Sequence, residues 1–232
     1  MKKAFTLLEL IFVIVVVGIL AAVVVPSTNR NPVLEAGIQI LSHIRYTQHL
    51  AMVSDKYDAN NTQWYLGRWQ IAFSNANNTT SYMIFSERQG AYNGNPDATN
   101  NFSSSEVAKN PQNPQQFLIG TADANFANND TSRLSTELDI GKKYGIAQFR
   151  ISGGATGSTS LGVIFDSMGR PYRGNTDDTV LTVIHSPQDR LTSTAMFIKI
   201  CSNTCTGGNN TANNENELVI RIEPETGYAH IL

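Results

Sequence analysis

Charged residues and cysteines are scarce in this chain of 232 residues, and their scarcity excludes several classes of protein. Only 16% of the residues are charged and the formal net charge is −2, so no overall basic field attracts nucleic acid. The two cysteines, Cys201 and Cys205, have no second cysteine pair or histidine cluster with which to build a zinc site. We therefore expect them to close a small disulfide ring, two free buried thiols being the alternative.

Sequence signatures of catalysis are also missing. The chain has no G-x-S-x-G, H-E-x-x-H or P-loop motif, and no acidic loop has the spacing of a calcium-binding EF-hand. His43 and His49 are six residues apart on a predicted helix, which places them on different faces, and His185 and His230 end predicted strands. We expect no enzymatic activity, no cofactor and no metal.

What the chain does have is one long apolar run at its amino terminus. Phe5 to Val25 span about 21 residues, or about 30 Å as a helix, which is enough to cross a bilayer once. Lys2 and Lys3 precede the run, so the start stays cytoplasmic and the rest is exported. This pattern predicts a single pass through the inner membrane with a periplasmic head. Glu9 costs roughly 2.5 to 3.5 kcal/mol in such a span, so it needs a partner.

The stretch "KKAFTLLELIFVIVVVGILAAVVVP" resembles the class III leader and first helix of type IV pilins and of type II secretion pseudopilins. The resemblance implies that a prepilin peptidase cuts between Ala4 and Phe5 and that Phe5 becomes N-methylated. It also implies that Glu9 acts in assembly, because its carboxylate can pair with the amino terminus of a neighbouring subunit and so set the register. Pro26 falls where many members have a helix kink. The family usually has glycine before the cut, where this chain has Ala4.

The rest of the chain predicts an α+β fold in which a long hydrophobic helix continues into an amphipathic helix packed on an antiparallel β-sheet head, as in pilins. Asn31 and Pro32 can begin the second helix, in which Leu34, Ile38, Leu41 and Ile44 form an apolar stripe. Alternating segments between Asn- and Gly-rich turns predict strands. The predicted strands are 64–73, 82–87, 116–119, 147–152, 162–166, 180–185, 195–201 and 217–223. The predicted division is a leader (1–4), a transmembrane and filament-core helix (5–26), an amphipathic half (27–55) and the head (56–232).

Two head motifs narrow the resemblance. "LGVIFDSMGRP" (161–171) and "LVIRIEPETGYAHI" (218–231) are similar to elements of H-type pseudopilins and FimT-like minor pilins. In each motif a glycine, Gly169 or Gly227, stands where a tight turn needs a positive φ.

The expected function is therefore that of a structural subunit, a minor pseudopilin or minor pilin, in a type II secretion pseudopilus or a type IV pilus. Its partners are then the prepilin peptidase, other pilin or pseudopilin subunits and the inner-membrane assembly platform, and the assembled filament is periplasmic or extracellular. Two alternatives stay open: a DNA-binding minor pilin for DNA uptake, and a single-pass anchored periplasmic protein without an assembly role. Against DNA, the tail "GYAHIL" has no Arg or Lys. The best basic concentration is Lys142, Lys143, Arg150, Arg170 and Arg173.

Overall fold

The computed structural model describes most of the chain, as two units that are considered separately below. The described residues are 6–24, 31–75, 80–88, 92, 94, 96, 106–120, 131–154, 161–174 and 185–232. The first unit runs from Met1 to Asn31, and the second runs from Pro32 to Leu232. The described helices and antiparallel sheets make the protein α+β.

The first unit contains helix α1, Leu7–Val24, and it corrects two expectations. The helix has 18 residues, fewer than the about 20 that a bilayer requires, and it carries Glu9 in its first turn. Within the described ranges, no helix combines the length and the apolar character that a membrane crossing requires. The expected single pass through the inner membrane with a periplasmic head is therefore wrong. The expected long N-terminal helix that continues into the second helix, as in pilins, is wrong as well.

The second helix, α2, begins where the sequence predicts. It runs from Pro32 to Val53, directly after Asn31. Proline suits the first helical position because its missing N–H has no partner there and its φ is already helical. A short third helix, α3 (Ile140–Tyr144), was not predicted; the Asp139 side chain accepts from Lys142 N at its start, and Gly145 ends it at a φ of 70°.

Antiparallel strands form two four-stranded sheets in the described part of the second unit. The strands are β1 (Trp69–Ser74), β2 (Ser81–Ser86), β3 (Gln148–Gly153), β4 (Gly162–Phe165), β5 (Pro171–Tyr172), β6 (Met196–Cys201), β7 (Glu217–Ile222) and β8 (Ala229–Ile231). The first sheet has the order β2-β1-β4-β5 and the second has the order β3-β6-β7-β8. Each neighbouring pair is antiparallel.

One hydrophobic core joins α2 to both sheets. Ile40 and Ile44 of α2 are fully buried in the same cluster as Ile71 of the first sheet and Ile198 and Ile220 of the second. Burying each such side chain contributes roughly 1.5 to 3 kcal/mol. Because this cluster draws only on residues after Pro32, the second unit has a core of its own.

The buried face of α2 differs from the predicted stripe. Ile44 is buried as expected, but Leu34 and Ile38 are 41% and 55% exposed. Ala36 and Gly37 are buried instead, and a Cβ on Gly37 would lie 2.7 Å from Leu218 Cδ2. Glycine fits at position 37 because the Leu218 side chain of the second sheet occupies the space that a Cβ would need.

The two head motifs meet at α2. They form the hairpins β4–β5 and β7–β8, and Gly169 and Gly227 have φ values of 78° and 65°, which confirms both predicted turns. Gln48 Nε2 donates to the carbonyl oxygens of Gly169 (2.8 Å) and Thr226 (2.9 Å). One side chain of α2 therefore ties a turn from each sheet to the helix.

Most predicted strand segments are confirmed to within two residues, with two exceptions. Segment 64–73 begins as a 3-10 turn, Trp64–Gly67, and becomes strand only at Trp69. Segment 116–119 makes isolated bridges, such as Phe117 with Lys109 and with Leu134, rather than a strand. Segment 180–185 lies outside the described residues except for His185.

Candidate assembly interface

Helix α1 begins with a side-chain N-cap that was not predicted from the sequence. Glu9 N lies 3.3 Å from Thr6 Oγ1 and 3.1 Å from the Thr6 carbonyl oxygen, so Thr6 is the N-cap and Glu9 is the third helical residue. The pattern T-x-x-E before an apolar run is a known signal for a helix start, because the cap accepts from an otherwise unpaired N–H. A carboxylate in the first turn also interacts favourably with the helix dipole. Glu9 therefore has a local role in addition to any role between subunits.

The described part of α1 exposes apolar side chains on every side. Leu7, Leu8 and Phe12 are 76%, 80% and 70% exposed, and even Val16 is 38% exposed. Four consecutive residues take a helix more than once around its axis, and Ile11 to Ile14 are all exposed. A helix that is apolar all round is normally covered, and contiguous exposed apolar surface marks an interaction site.

Glu9 is the one ionisable residue within Leu7–Val24, and it is exposed. It lies between Leu8 and Leu10, which are themselves exposed, so a partner that covers this turn also covers the carboxylate. An ionised carboxylate without a partner in an apolar contact is strongly disfavoured. The arrangement therefore calls for a cationic group from whatever chain covers it.

Three other predicted residues of this region lie outside the described residues. Ala4 and Phe5, the expected cut, and Pro26, the expected kink, are all in this group. Their roles stay predictions.

The structure joins Cys201 and Cys205 by a disulfide at the start of the loop between β6 and β7. Both cysteines are buried. Cys205 N also donates to Gln148 Oε1 at 3.0 Å, which fixes the ring to the neighbouring strand β3. The spacing of the pair was the signal for this ring.

A buried ion pair organises the same loop, and no pattern in the sequence predicted it. Lys199 Nζ lies 2.9 Å from Glu217 Oε2, and both side chains are at most 2% exposed. Lys199 also donates to the carbonyl oxygens of Thr206 and Gly208. Burial alone would raise the pKa of Glu217, but hydrogen bonds from Thr206, Lys199 and Asn213 outweigh it and lower that pKa to about 2.

The five basic residues predicted as the best cationic concentration differ in exposure. Arg173 is buried and donates to the carbonyl oxygens of Gly153 and Ile151. Arg170 is paired with Asp166 at 2.8 Å, and Lys142 is paired with Asp139 at 3.0 Å. Arg173 and Arg170 are thus engaged within the protein, whereas the side chain of Lys142 is 77% exposed and Lys143 is exposed as well. Only part of the predicted basic group is therefore free to reach phosphates.

Comparisons with protein-family models, with curated proteins and with solved structures find no match to this chain.

Proposed function

We propose that the chain is a structural subunit that joins a filament of the type IV pilus or type II secretion pseudopilus class through α1. The observation that carries the proposal is the apolar exposure of α1 on every side, from Leu7 to Leu20. Helices of neighbouring subunits cover such a surface well, since each Leu, Ile, Val or Phe side chain that becomes buried contributes roughly 1.5 to 3 kcal/mol. The resemblance of the amino-terminal stretch to pilins supports the same function.

Glu9 supplies the register in this proposal. Cleavage before Phe5 leaves an amino group that, in a neighbouring subunit, pairs with the Glu9 carboxylate. A displaced subunit leaves both charges unpaired within the apolar contact, which costs several kcal/mol. The apolar surface thus provides the attraction, and the charge pair selects one alignment.

Glu9 also lies in the capped first turn of α1. A Glu9 variant could therefore fail to assemble because the helix start is weakened rather than because the charge pair is lost. Glu9→Gln removes the charge but keeps a side chain that suits the third position of a capping box. Thr6→Ala weakens the cap by about 1 kcal/mol and keeps the charge. We expect Glu9→Gln to lower the amount of chain recovered in sheared filaments by about tenfold or more, which corresponds to at least about 1.4 kcal/mol. Thr6→Ala should lower it much less.

Two outcomes decide between the parts of the proposal. Recovery of Glu9→Gln at the wild-type level would remove the pairing role, and absence of the wild-type chain from filaments would overturn the function itself. Mass spectrometry of the mature protein tests the processing step independently. We expect a terminus at methylated Phe5, and an intact Met1 would contradict it.

A further inference from the structure

A polar cleft lies on the second unit beside the middle of α2, and the assembly proposal does not use it. It has a volume of about 300 Å³. Its walls are α2, the segment Asn110–Gln112, the 3-10 turn Thr136–Leu138 and the end of α3. We call it the α2 cleft. The lining residues are Gln39, Ser42, His43, Tyr46, Asn110, Pro111, Gln112, Glu137 and Lys143.

Hydrogen bonds between the walls hold the cleft open in one shape. Asn110 Nδ2 donates to Glu137 Oε1 (2.6 Å) and to Ser135 Oγ (3.1 Å). Gln39 Nε2 donates to the Glu137 carbonyl oxygen (2.8 Å), which ties α2 to the opposite wall. A cleft whose walls are tied in this way needs little ordering when a ligand enters, and that preserves affinity.

A chain of hydrogen bonds holds the ring of His43 in place. Lys143 Nζ and Tyr144 Oη both donate to Gln39 Oε1 at 2.9 Å, so the Gln39 amide nitrogen faces the buried Tyr82 and donates to its hydroxyl at 2.8 Å. The Tyr82 hydroxyl also forms a hydrogen bond with His43 Nδ1, 2.6 Å away, and the direction of this bond follows the tautomer of the ring.

The charge state of His43 agrees with this chain. Burial lowers the pKa of His43 to about 4; the Glu137 carboxylate acts in the opposite direction and the Lys143 ammonium acts with burial. At neutral pH the ring that lines the cleft is therefore uncharged. Lys143, Tyr144, Gln39 and Tyr82 form the hydrogen-bonded chain that holds it, so its position does not depend on a ligand.

The remaining lining groups make a mixed set of donors and acceptors. Ser42 and Gln112 add a hydroxyl and an amide, and both residues are exposed. Lys143 and Glu137 bring opposite charges to the same small volume, so neither an anion nor a cation finds a site of purely opposite charge. Tyr46 and Pro111 add ring surfaces that suit a C–H face.

We propose that the α2 cleft binds one neutral sugar ring. A pyranose offers hydroxyl groups that both donate and accept, matching the lining set, and an apolar C–H face, matching the rings of Tyr46 and Pro111. The volume lies at the lower end of the roughly 300–1,000 Å³ typical of small-molecule sites, which suits a single ring.

Ligand-observed NMR and calorimetry with the full chain test this proposal. The probes are methyl glycosides of glucose, galactose and mannose, together with N-acetylglucosamine; inorganic phosphate represents anions, glycine represents zwitterions and glycerol represents open-chain polyols. We expect saturable binding of at least one sugar, stronger than that of phosphate, glycine or glycerol. No sugar binding at millimolar concentration, or tighter binding of any comparison ligand, would overturn the proposal.

Two exposed glutamines give a matched pair of variants. Gln112 lines the cleft, whereas Gln115 lies three residues further along the chain and is not among the lining residues. We expect Gln112→Ala and Ser42→Ala each to weaken sugar binding roughly three- to tenfold, and Gln115→Ala to leave it unchanged. Both lining residues are exposed, so these variants keep the fold. Equal affinity in all three variants would place any sugar site elsewhere and contradict the proposal.

Discussion

At the scale of single residues, burial decides what His43 can do. From the sequence it was one of two histidines on a predicted helix, and we expected only that it shares no metal with His49. The structure places it against Tyr82 with centroids 5.6 Å apart and a hydrogen bond between the side chains. The position could be anticipated from the helical repeat, but the partner could not, because Tyr82 comes from a strand 39 residues away.

The lowered pKa of His43 predicts how the stability of the protein depends on pH. Its pKa is about 4 in the folded protein, because of burial, and 6.5 in the unfolded chain. Between these values the unfolded chain binds a proton that the folded protein does not. Stability is therefore full above about pH 6.5 and falls as the pH is lowered toward 4, by up to roughly 3 kcal/mol.

Urea unfolding of the wild type and His43→Gln from pH 4 to 7 measures this contribution. The other three histidines are present in both proteins, so the difference isolates His43. We expect the free energy of unfolding of the variant to fall less steeply over this range. Parallel profiles would show that His43 titrates alike in both states and would contradict the prediction.

At the scale of secondary-structure elements, the sequence predicts where elements occur better than which face they bury. Helix α2 begins at Pro32 as expected, since Asn and Pro signal a helix start locally. Its buried face includes Ala36 and Gly37, and the Leu218 side chain, from a distant strand, lies against Gly37. Apolar periodicity favoured Leu34 and Ile38 instead, and both are exposed. Apolar periodicity favours large residues, whereas the buried face of α2 mixes Ile40 and Ile44 with small residues such as Ala36 and Gly37, which only the packed neighbours determine.

Burial of charged residues is equally hard to predict from the sequence, as the hairpin β6–β7 shows. Lys199 and Glu217 lie in separate predicted strands, where alternation suggests exposed positions, yet they are among the most buried charged side chains described. Their role follows from the loop 202–216, whose carbonyl and amide groups converge on them. The disulfide at the start of the loop was predictable because its two residues are only four positions apart in the sequence.

The buried pair predicts a large difference between single and double variants. Glu217→Gln leaves the Lys199 ammonium buried without a counter-charge, and we expect it to lower the free energy of unfolding by about 3 to 5 kcal/mol at pH 7. Adding Lys199→Met should recover most of that loss, because the remaining charge is then gone. Urea unfolding measures both.

The pair Arg221–Glu223 is a matched control at the other end of β7. Its side chains are 39% and 29% exposed, so solvent screens it. Glu223→Gln should lower the free energy of unfolding by less than about 1 kcal/mol. If Glu217→Gln and Glu223→Gln lowered the free energy of unfolding by similar amounts, the buried pair would contribute no more to stability than the exposed one.

At the scale of the whole molecule, the two units differ in what they do with apolar residues. The core described in the second unit consists only of residues of that unit. In the first unit, the Leu, Ile, Val and Phe side chains of α1 from Leu7 to Leu20 are 38% to 80% exposed. A unit with its own core beside a helix with exposed apolar side chains fits the proposed filament subunit, because such a subunit must fold before its helix is covered by neighbours.

This division predicts that residues 31–232 fold without the first unit. We expect their free energy of unfolding to match that of the full chain to within about 1 kcal/mol, since the amino-terminal unit shares none of the described core. Urea unfolding followed by circular dichroism measures the comparison. If residues 31–232 were much less stable than the full chain, α1 would have to contribute to the core.

The same pair of proteins tests where self-association resides. We expect the full chain to form large species in sedimentation velocity and residues 31–232 to stay monomeric at the same concentration, because the apolar surface of α1 has been removed. A full-length variant with Ile11→Gln and Ile14→Gln is the control: it keeps the helix length and Glu9 but replaces two exposed apolar side chains, so its association should weaken. Association of residues 31–232 as strong as that of the full chain would place the interface on the body and contradict the role of α1.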